Sequence, residues 1–333
     1  MEGEKGKVCV TGGTGFIASW LIMKLLQQGY SVHTTIRTHA AEQKRDISFL
    51  TQLPRATERL KIFNADLEDP NSFEAAIEGC RGVFHLATPM DLKDGKPPEI
   101  VANRTINGTL GILKACLKAK TVRRVVYTSS ASAIFGNDKW NEVAVMDESF
   151  WSDVDFIKKC RSSTGSYPIS KTLTEKAALE FAAENGLDLV SLVPSIVVGP
   201  FICPKLPQSV SMALAPVFGK SEEYISLLNA SMVHVDDVAM AQIFLLEHPN
   251  ATMSGRYICS AHTKTFAELS QFLSTKYPEF TVPSPNSLAK VQSFQAPGLS
   301  SKKLLESGFK FKYSVEEMLD AAIKCCKDKG YLK

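Results

Sequence analysis

The chain lacks any apolar run approaching the ~20 residues that a membrane span needs. It has no C-x-x-C pair, no internal repeat, no low-complexity tract and no excess of one charge. Each absence removes a class of protein. Without the long run, no membrane partner is expected. Lys and Arg number 38 against 35 Asp and Glu, mixed along the chain to a net +3. Such a mixture makes no basic stripe of the kind that grips nucleic acid. Lys324, Lys327, Lys329 and Lys333 read as a solvated helix end, with a partner surface as the alternative. The eight cysteines carry no metal-ligand spacing, so no metal is expected, and Cys9, Cys116 and Cys259 fall inside apolar runs as small hydrophobes. That usage suits a reducing compartment. The charged Met1–Lys7 leads straight into a strand without a signal-peptide core, so a cytoplasmic location is expected. The sequons at Asn103, Asn107, Asn229 and Asn250 are then chance matches.

What is present is an alternation. Short apolar runs at Val8–Thr11, Ser31–Ile36, Leu60–Phe63, Val83–Ala87, Arg124–Thr128 and Leu187–Val193 are separated by helical patterns near 71–80, 98–119 and 167–185. Strands alternating with helices imply βαβ units and a parallel sheet covered on both faces. The expected fold class is therefore α/β, a Rossmann-type doubly wound parallel sheet with a smaller C-terminal α/β substrate lobe. Prolines at 194, 200, 204, 207 and 216 mark the change of character. Residues 1–193 are expected to form the dinucleotide-binding domain and 194–333 mainly the substrate lobe, with a helix in 232–248 returning to the sheet. Thr265 with Glu268, and Ser314 with Glu317, have capping-box spacing, and Tyr313 with Met318 that of a hydrophobic staple.

The first strand ends in Thr11-Gly12-Gly13-Thr14-Gly15-Phe16-Ile17-Ala18. A glycine turn between a first strand and a first helix is the place where a pyrophosphate rests on helix amides. Gly12 allows the turn and Gly15 the close approach, and Thr11, Thr14, Phe16 and Ile17 are candidate contacts beside them. A plain strand–helix turn is the alternative. An NAD-preferring site ends its second strand with an acidic residue, which this chain lacks. Arg37, followed by Lys44 and Arg45, stands there instead and suits the 2′-phosphate of NADP(H), a solvated basic loop being the bland reading. Asp66, with Leu67, suits the adenine end.

Tyr167-Pro168-Ile169-Ser170-Lys171 sets a phenol and an ammonium four residues apart, on one face of a helix. The ammonium favours the phenolate, so Tyr167 is expected to titrate below its usual value and to trade a proton. Ser129 and Ser130, after the strand Arg124–Thr128, are placed to hold a carbonyl oxygen.

In this order of motifs the chain resembles the extended short-chain dehydrogenase/reductases, and within them the plant dihydroflavonol reductase-like group. The likeness runs through Val8–Gly13, Phe84–Pro89, Tyr127–Ser130, Tyr167–Glu175, Val198–Phe201, Phe311–Tyr313 and Lys329–Leu332. It implies Ser130 as catalytic serine, Tyr167 as proton donor and Lys171 as the ribose-binding group that tunes Tyr167. It also implies Arg37 and Lys44 at the 2′-phosphate and Ala87, Thr88 and Pro194 along the nicotinamide, with Val197 taken beside them as a cofactor contact.

Three departures stand out. Thr105 occupies the place where many extended enzymes carry an Asn of a proton relay. Phe135 stands where dihydroflavonol reductases carry Asn or Asp, which argues against a dihydroflavonol substrate. Pro168 biases Tyr167 away from helical angles, although proline is tolerated in a first turn.

The segments 135–166 and 201–231 are expected to cover the cofactor, with Met90, Phe135, Ile196, Leu206 and Met212 as candidate lining, each of which also reads as plain core. No Arg clamp for a diphosphate is evident, against sugar-nucleotide epimerases. The leading expectation is NADPH-dependent reduction of a carbonyl or iminium on an apolar, aromatic plant metabolite (isoflavonoid, flavonoid or alkaloid), by a monomer or homodimer. The same residues running in reverse would oxidise an alcohol or lactol, and a non-catalytic dinucleotide sensor would share the fold.

Overall fold

The computed structural model describes residues 5–37, 46–88, 97–160, 166–220, 229–249, 254–284 and 297–333. Strands form where apolar, β-branched runs can be buried on both faces. Every residue of β5 (Arg124–Thr128) and β7 (Leu189–Pro194) is buried. With β1 (Lys7–Thr11), β2 (Ser31–Ile36), β3 (Leu60–Asn64), β4 (Gly82–His85) and β10 (Gly255–Cys259) they make one parallel sheet, ordered β10-β7-β5-β4-β1-β2-β3. Burial on both faces is what a parallel sheet demands, because crossover helices cover each side. Strand order reverses between β1 and β4, so the crevice at their carboxyl ends is the place where such sheets bind ligands.

Helix Phe16–Gln27 buries Ala18, Leu21, Ile22, Leu25 and Leu26, a stripe at helical spacing, against the sheet. Helix Val235–Glu247 joins the same apolar cluster. It is tied to the first helix by Trp20 Nε1 donating to Asp236 Oδ1 at 2.8 Å and by Lys24–Asp236 at 2.7 Å. On the opposite face, helices Pro98–Ala119 and Ser166–Glu184 pack together.

Beyond Pro194 the chain does two things. It returns twice to the main sheet, through helix Val235–Glu247 and edge strand β10. It also builds a second apolar cluster around Phe201, Val210, Leu214, Met232, Phe266, Leu269, Met318, Leu319 and Ile323. A small sheet frames this cluster, with β8 (Ile196–Val198) parallel to β9 (Asn229–His234) and β11 (His262–Thr265) antiparallel to it. A short pair, β6 (Val145–Met146) with β12 (Gly298–Leu299), forms a third sheet, with β12 against β9. Both capping boxes form, at Thr265/Glu268 and Ser314/Glu317. Tyr313 and Met318 share the second apolar cluster. Cys9, Cys116 and Cys259 are buried free thiols. Among the described residues no helix is long and apolar enough to cross a membrane, and no cluster of metal-ligating side chains occurs.

Candidate active site

The glycine turn is locked onto its neighbours before any ligand is considered. Gly12, with φ of +72°, donates its amide to Thr35 Oγ1, and Gly13 donates to Thr35 O at 2.8 Å. A Cβ on Gly12 would come within 3.0 Å of Ala87 Cα. Gly13 was not singled out from the sequence, yet a Cβ there would sit 2.1 Å from Thr34 Oγ1. Its adjacency to Gly12 was the available signal. Gly15 is the N-cap of helix Phe16–Gln27, is exposed, and offers no side-chain acceptor to the first-turn amides. Those donors are therefore suited to an anion. Thr14, Phe16 and Ile17 are half-buried around it, and Phe16 meets Phe201 edge-on at 6.4 Å.

Thr11 acts on the turn itself. It is fully buried, its hydroxyl accepts from Leu86 N and Ala87 N at 3.0 Å each, and it pairs with His85 Nδ1 at 2.9 Å. An oxygen that already accepts twice donates to Nδ1, which leaves the proton on His85 Nε2, toward Thr109 Oγ1 at 3.0 Å. Burial drives the His85 imidazole down to about 3, so it is neutral. Ala87 and Thr88 are thereby fixed at the mouth of β4, beside the glycine turn.

Arg37 follows β2 directly and is half-buried at the end of that strand. Asp66 follows β3, and its Oδ1 accepts from Glu68 N at 3.0 Å. Leu67 is half-buried beside it, against the helix Pro98–Ala119 at Gly108. Lys44 and Met90 lie outside the described residues.

Helix Ser166–Glu184 contains Tyr167 in its first turn, so Pro168 does not disturb the register. Tyr167 hydrogen-bonds the Ser130 hydroxyl. Four residues on, Lys171 is 4% exposed and its ammonium donates to Thr88 Oγ1 and to Thr128 O, each at 3.0 Å. Burial pulls Lys171 down to about 8, opposed by the charge of Glu175. The expected lowering of the Tyr167 phenol is not what this geometry gives. Burial pushes it above its ordinary value, and the Ser130 hydrogen bond offsets this only in part. Desolvation of the phenolate outweighs a cation that is already shared between two oxygens.

The two serines divide. Ser130 faces Tyr167, with its Oγ 3.2 Å from Ser132 Oγ. Ser129 does not hold a ligand: its hydroxyl donates to Glu175 Oε2 at 2.6 Å inside the protein. Thr105, 2% exposed, accepts from Ser170 Oγ at 3.1 Å and donates to Val101 O.

Pro194 and Val197 are buried where β7 passes into β8, and Pro194 O accepts from Ala131 N at 2.9 Å. Of the candidate lining, Ile196 and Leu206 pack against the second apolar cluster. Met212 is half-buried on helix Gln208–Ala213, which Ser209 Oγ fastens to Val197 O at 2.7 Å. Phe135 ends the short helix that follows Ser130 and packs on Trp140 at 6.1 Å.

Residues 8–259 match the model of the NAD dependent epimerase/dehydratase family. Vestitone reductase of Medicago sativa is 53% identical over all of both chains. Its crystal structure superposes with a TM-score of 0.88, covering 98% of this chain and 100% of that one. A dihydroflavonol 4-reductase of Hordeum vulgare is 45% identical over 100% of this chain and 92% of its own. The yeast methylglyoxal/isovaleraldehyde reductase Gre2, solved with NADPH, is 25% identical, with a TM-score of 0.80 over 98% and 100% of the two chains. This chain belongs to the NAD dependent epimerase/dehydratase family, in its dihydroflavonol reductase-like branch of extended short-chain dehydrogenase/reductases.

Proposed function

We propose that the protein is an NADPH-dependent reductase of a carbonyl group on an apolar, aromatic plant metabolite of the isoflavonoid or flavonoid type. The observation that carries this reading is the Tyr167–Ser130 hydrogen bond standing beside the buried Lys171 ammonium. The residues present fit the cofactor. Gly12 is held where a side chain would strike Ala87, Gly15 leaves the first helix amides uncapped, and Arg37 stands at the end of β2. Gly12 to Ile17 would hold the pyrophosphate, Arg37 with Lys44 the 2′-phosphate, and Asp66 and Leu67 the adenine. Ala87, Thr88, Pro194 and Val197 would flank the nicotinamide. Bound NADPH supplies the hydride.

The chain's own groups supply the rest. Ser130 Oγ and Tyr167 Oη together hold the substrate's carbonyl oxygen. Tyr167, kept protonated near neutral pH by burial, gives its proton to that oxygen as negative charge develops. Lys171, charged below about pH 8, stabilises the phenolate left behind. Relatives support the substrate class through their names: vestitone reductase and dihydroflavonol 4-reductase. Phe135, Ile196, Leu206 and Met212, with Met90, are proposed to give the site its apolar character. Following NADPH consumption against a panel of isoflavanones, dihydroflavonols and simple aliphatic ketones tests the proposal. Preferred turnover of an isoflavanone supports it, and turnover of aliphatic ketones alone contradicts it.

A further inference from the structure

Three consecutive turns of helix Ser166–Glu184 hold three consecutive residues of the strand end beside it. Tyr167 meets Ser130, Lys171 Nζ meets Thr128 O, and Glu175 Oε2 meets Ser129 Oγ. The first two rungs carry the reaction proposed above. The third is assigned no role there, and it is the most heavily anchored. Glu175 is wholly buried. Its Oε1 accepts from Ser191 Oγ at 2.5 Å and from Arg256 Nε at 3.0 Å, and its Oε2 from Arg256 Nη2 at 3.3 Å.

Arg256, on edge strand β10, is itself locked. Its Nη1 donates to Glu148 O at 3.0 Å and to Phe150 O at 2.6 Å, and its guanidinium lies 3.6 Å from the Trp151 ring centroid. Ser152, at the end of that loop, donates to Ser132 O at 2.7 Å and accepts from Gly136 N at 2.8 Å. Both neighbours of Ser130 are clamped by the backbone too, Ser129 N to Leu192 O and Ala131 N to Pro194 O. Ser130 thus hangs between supports, one of which is the charged pair of Glu175 and Arg256. A buried ion pair with every oxygen used is weak evidence for stability, since apolar residues often do as well. Its place on the ladder calls for another explanation.

We propose that Glu175 is a positioning residue for the reductase reaction: braced by Arg256, it sets Ser129 and hence Ser130, and it places a fixed negative charge one helical turn from Lys171. This rests on the reading of Ser130, Tyr167 and Lys171 given above. Among the described residues, the other titratable groups facing Lys171 are Tyr167 on its own helix, the Tyr127 ring on β5 at 5.6 Å, and His85 at the end of β4. His85 is neutral, and burial pushes Tyr127 far up. That leaves Glu175 as the negative charge opposing Lys171's loss of its proton.

The test uses the full chain with three substitutions: Ser129→Ala, Glu175→Gln, and Tyr167→Phe as control. Turnover, NADPH affinity and the carbon-13 NMR titration of Lys171, assigned with Lys171→Arg, are measured for each. Ser129→Ala is expected to lower kcat about ten- to a hundredfold, the scale of a small misplacement, with NADPH affinity and KM unchanged. Glu175→Gln is expected to do the same and to move the Lys171 titration down by about one unit, the scale of one lost neighbouring charge. Where Glu175→Gln does not fold, Glu175→Gln with Arg256→Gln removes both charges together, and Ser129→Ala, which keeps the ion pair, decides alone. Near-normal kcat in Ser129→Ala, with Tyr167→Phe inactive, overturns the inference. So does an unmoved Lys171 in a folded Glu175→Gln. An active Tyr167→Phe overturns instead the function on which the inference rests.

Discussion

Two regions of the molecule are held by different forces. Along the ends of β1, β4 and β5, and the helix turn that carries Lys171, the wall is polar and locked, with Lys171, Ser129, Thr11 and His85 buried and their polar atoms paired. Past Pro194, Ile196 and Leu206 rest on a cluster of apolar side chains around Phe201 and Met318. Hydrogen bonds fix direction, and a displaced buried polar group leaves an unpaired partner. Apolar packing fixes volume and tolerates exchange of similar shapes. Changes to the polar wall should therefore alter the chemistry, and changes on the apolar side should alter which substrate is taken.

Tyr167→Phe gives the largest expected effect. It deletes the proposed proton donor and little else, so turnover should fall at least about a hundredfold, while NADPH still quenches intrinsic fluorescence on binding. Activity within a few-fold of the parent would break the contrast at its strongest point. Arg37→Asp comes next. Losing a charge-assisted hydrogen bond to the 2′-phosphate costs about 1.5–3 kcal/mol, or roughly ten- to a hundredfold in affinity. NADPH titration should show that loss, with NADH binding equal or better. The double change at 37 and 44 is the cleaner form, since Lys44 adds a second cation.

The pH dependence follows in size. Lys171 keeps its proton below about pH 8 and loses it above. For reduction, kcat/KM should hold steady near neutrality and fall toward tenfold per unit beyond about 8, since this ratio reports groups of the free enzyme. Lys171→Arg should remove that limb, because a guanidinium keeps its charge. Phe135→Asn is the smallest. A polar side chain in its place should shift relative kcat/KM toward hydroxylated flavonoids by a few-fold, with NADPH affinity unchanged. An unchanged profile would place Phe135 with Trp140 as packing only.

What the sequence revealed follows the same division. β2 and β5 were legible to the residue, because runs buried on both faces are continuous and end at turn-forming or polar residues. The helix Pro98–Ala119 was equally clear from its apolar period. Strand β10 was not: it joins the sheet beside β7 from 60 residues away, and no local pattern announces such a pairing. The small β8-β9-β11 sheet was hidden for a related reason, since its strands are short and prolines interrupt the region. Of the residues proposed to carry the chemistry, Tyr167 and Lys171 were read from spacing and order, and Ser130 was chosen over Ser129 through the family resemblance. Their support was not. Glu175 and Arg256 look like surface charges in one dimension, and Ser191 looks like a flaw in an apolar strand. The Glu175 spacing of four from Lys171 was the one signal available. Tyr167's raised phenol was misjudged because spacing shows the ammonium nearby but not the burial that opposes it.

The most direct measurement is the fate of a label. With NADPH deuterated at the transferable C4 position and an isoflavanone as substrate, mass spectrometry and NMR of the alcohol should find one deuterium on the new carbinol carbon. The same product should be nearly absent with Tyr167→Phe despite saturating cofactor. An alcohol without the label, or equal labelled product from Tyr167→Phe, would contradict the account.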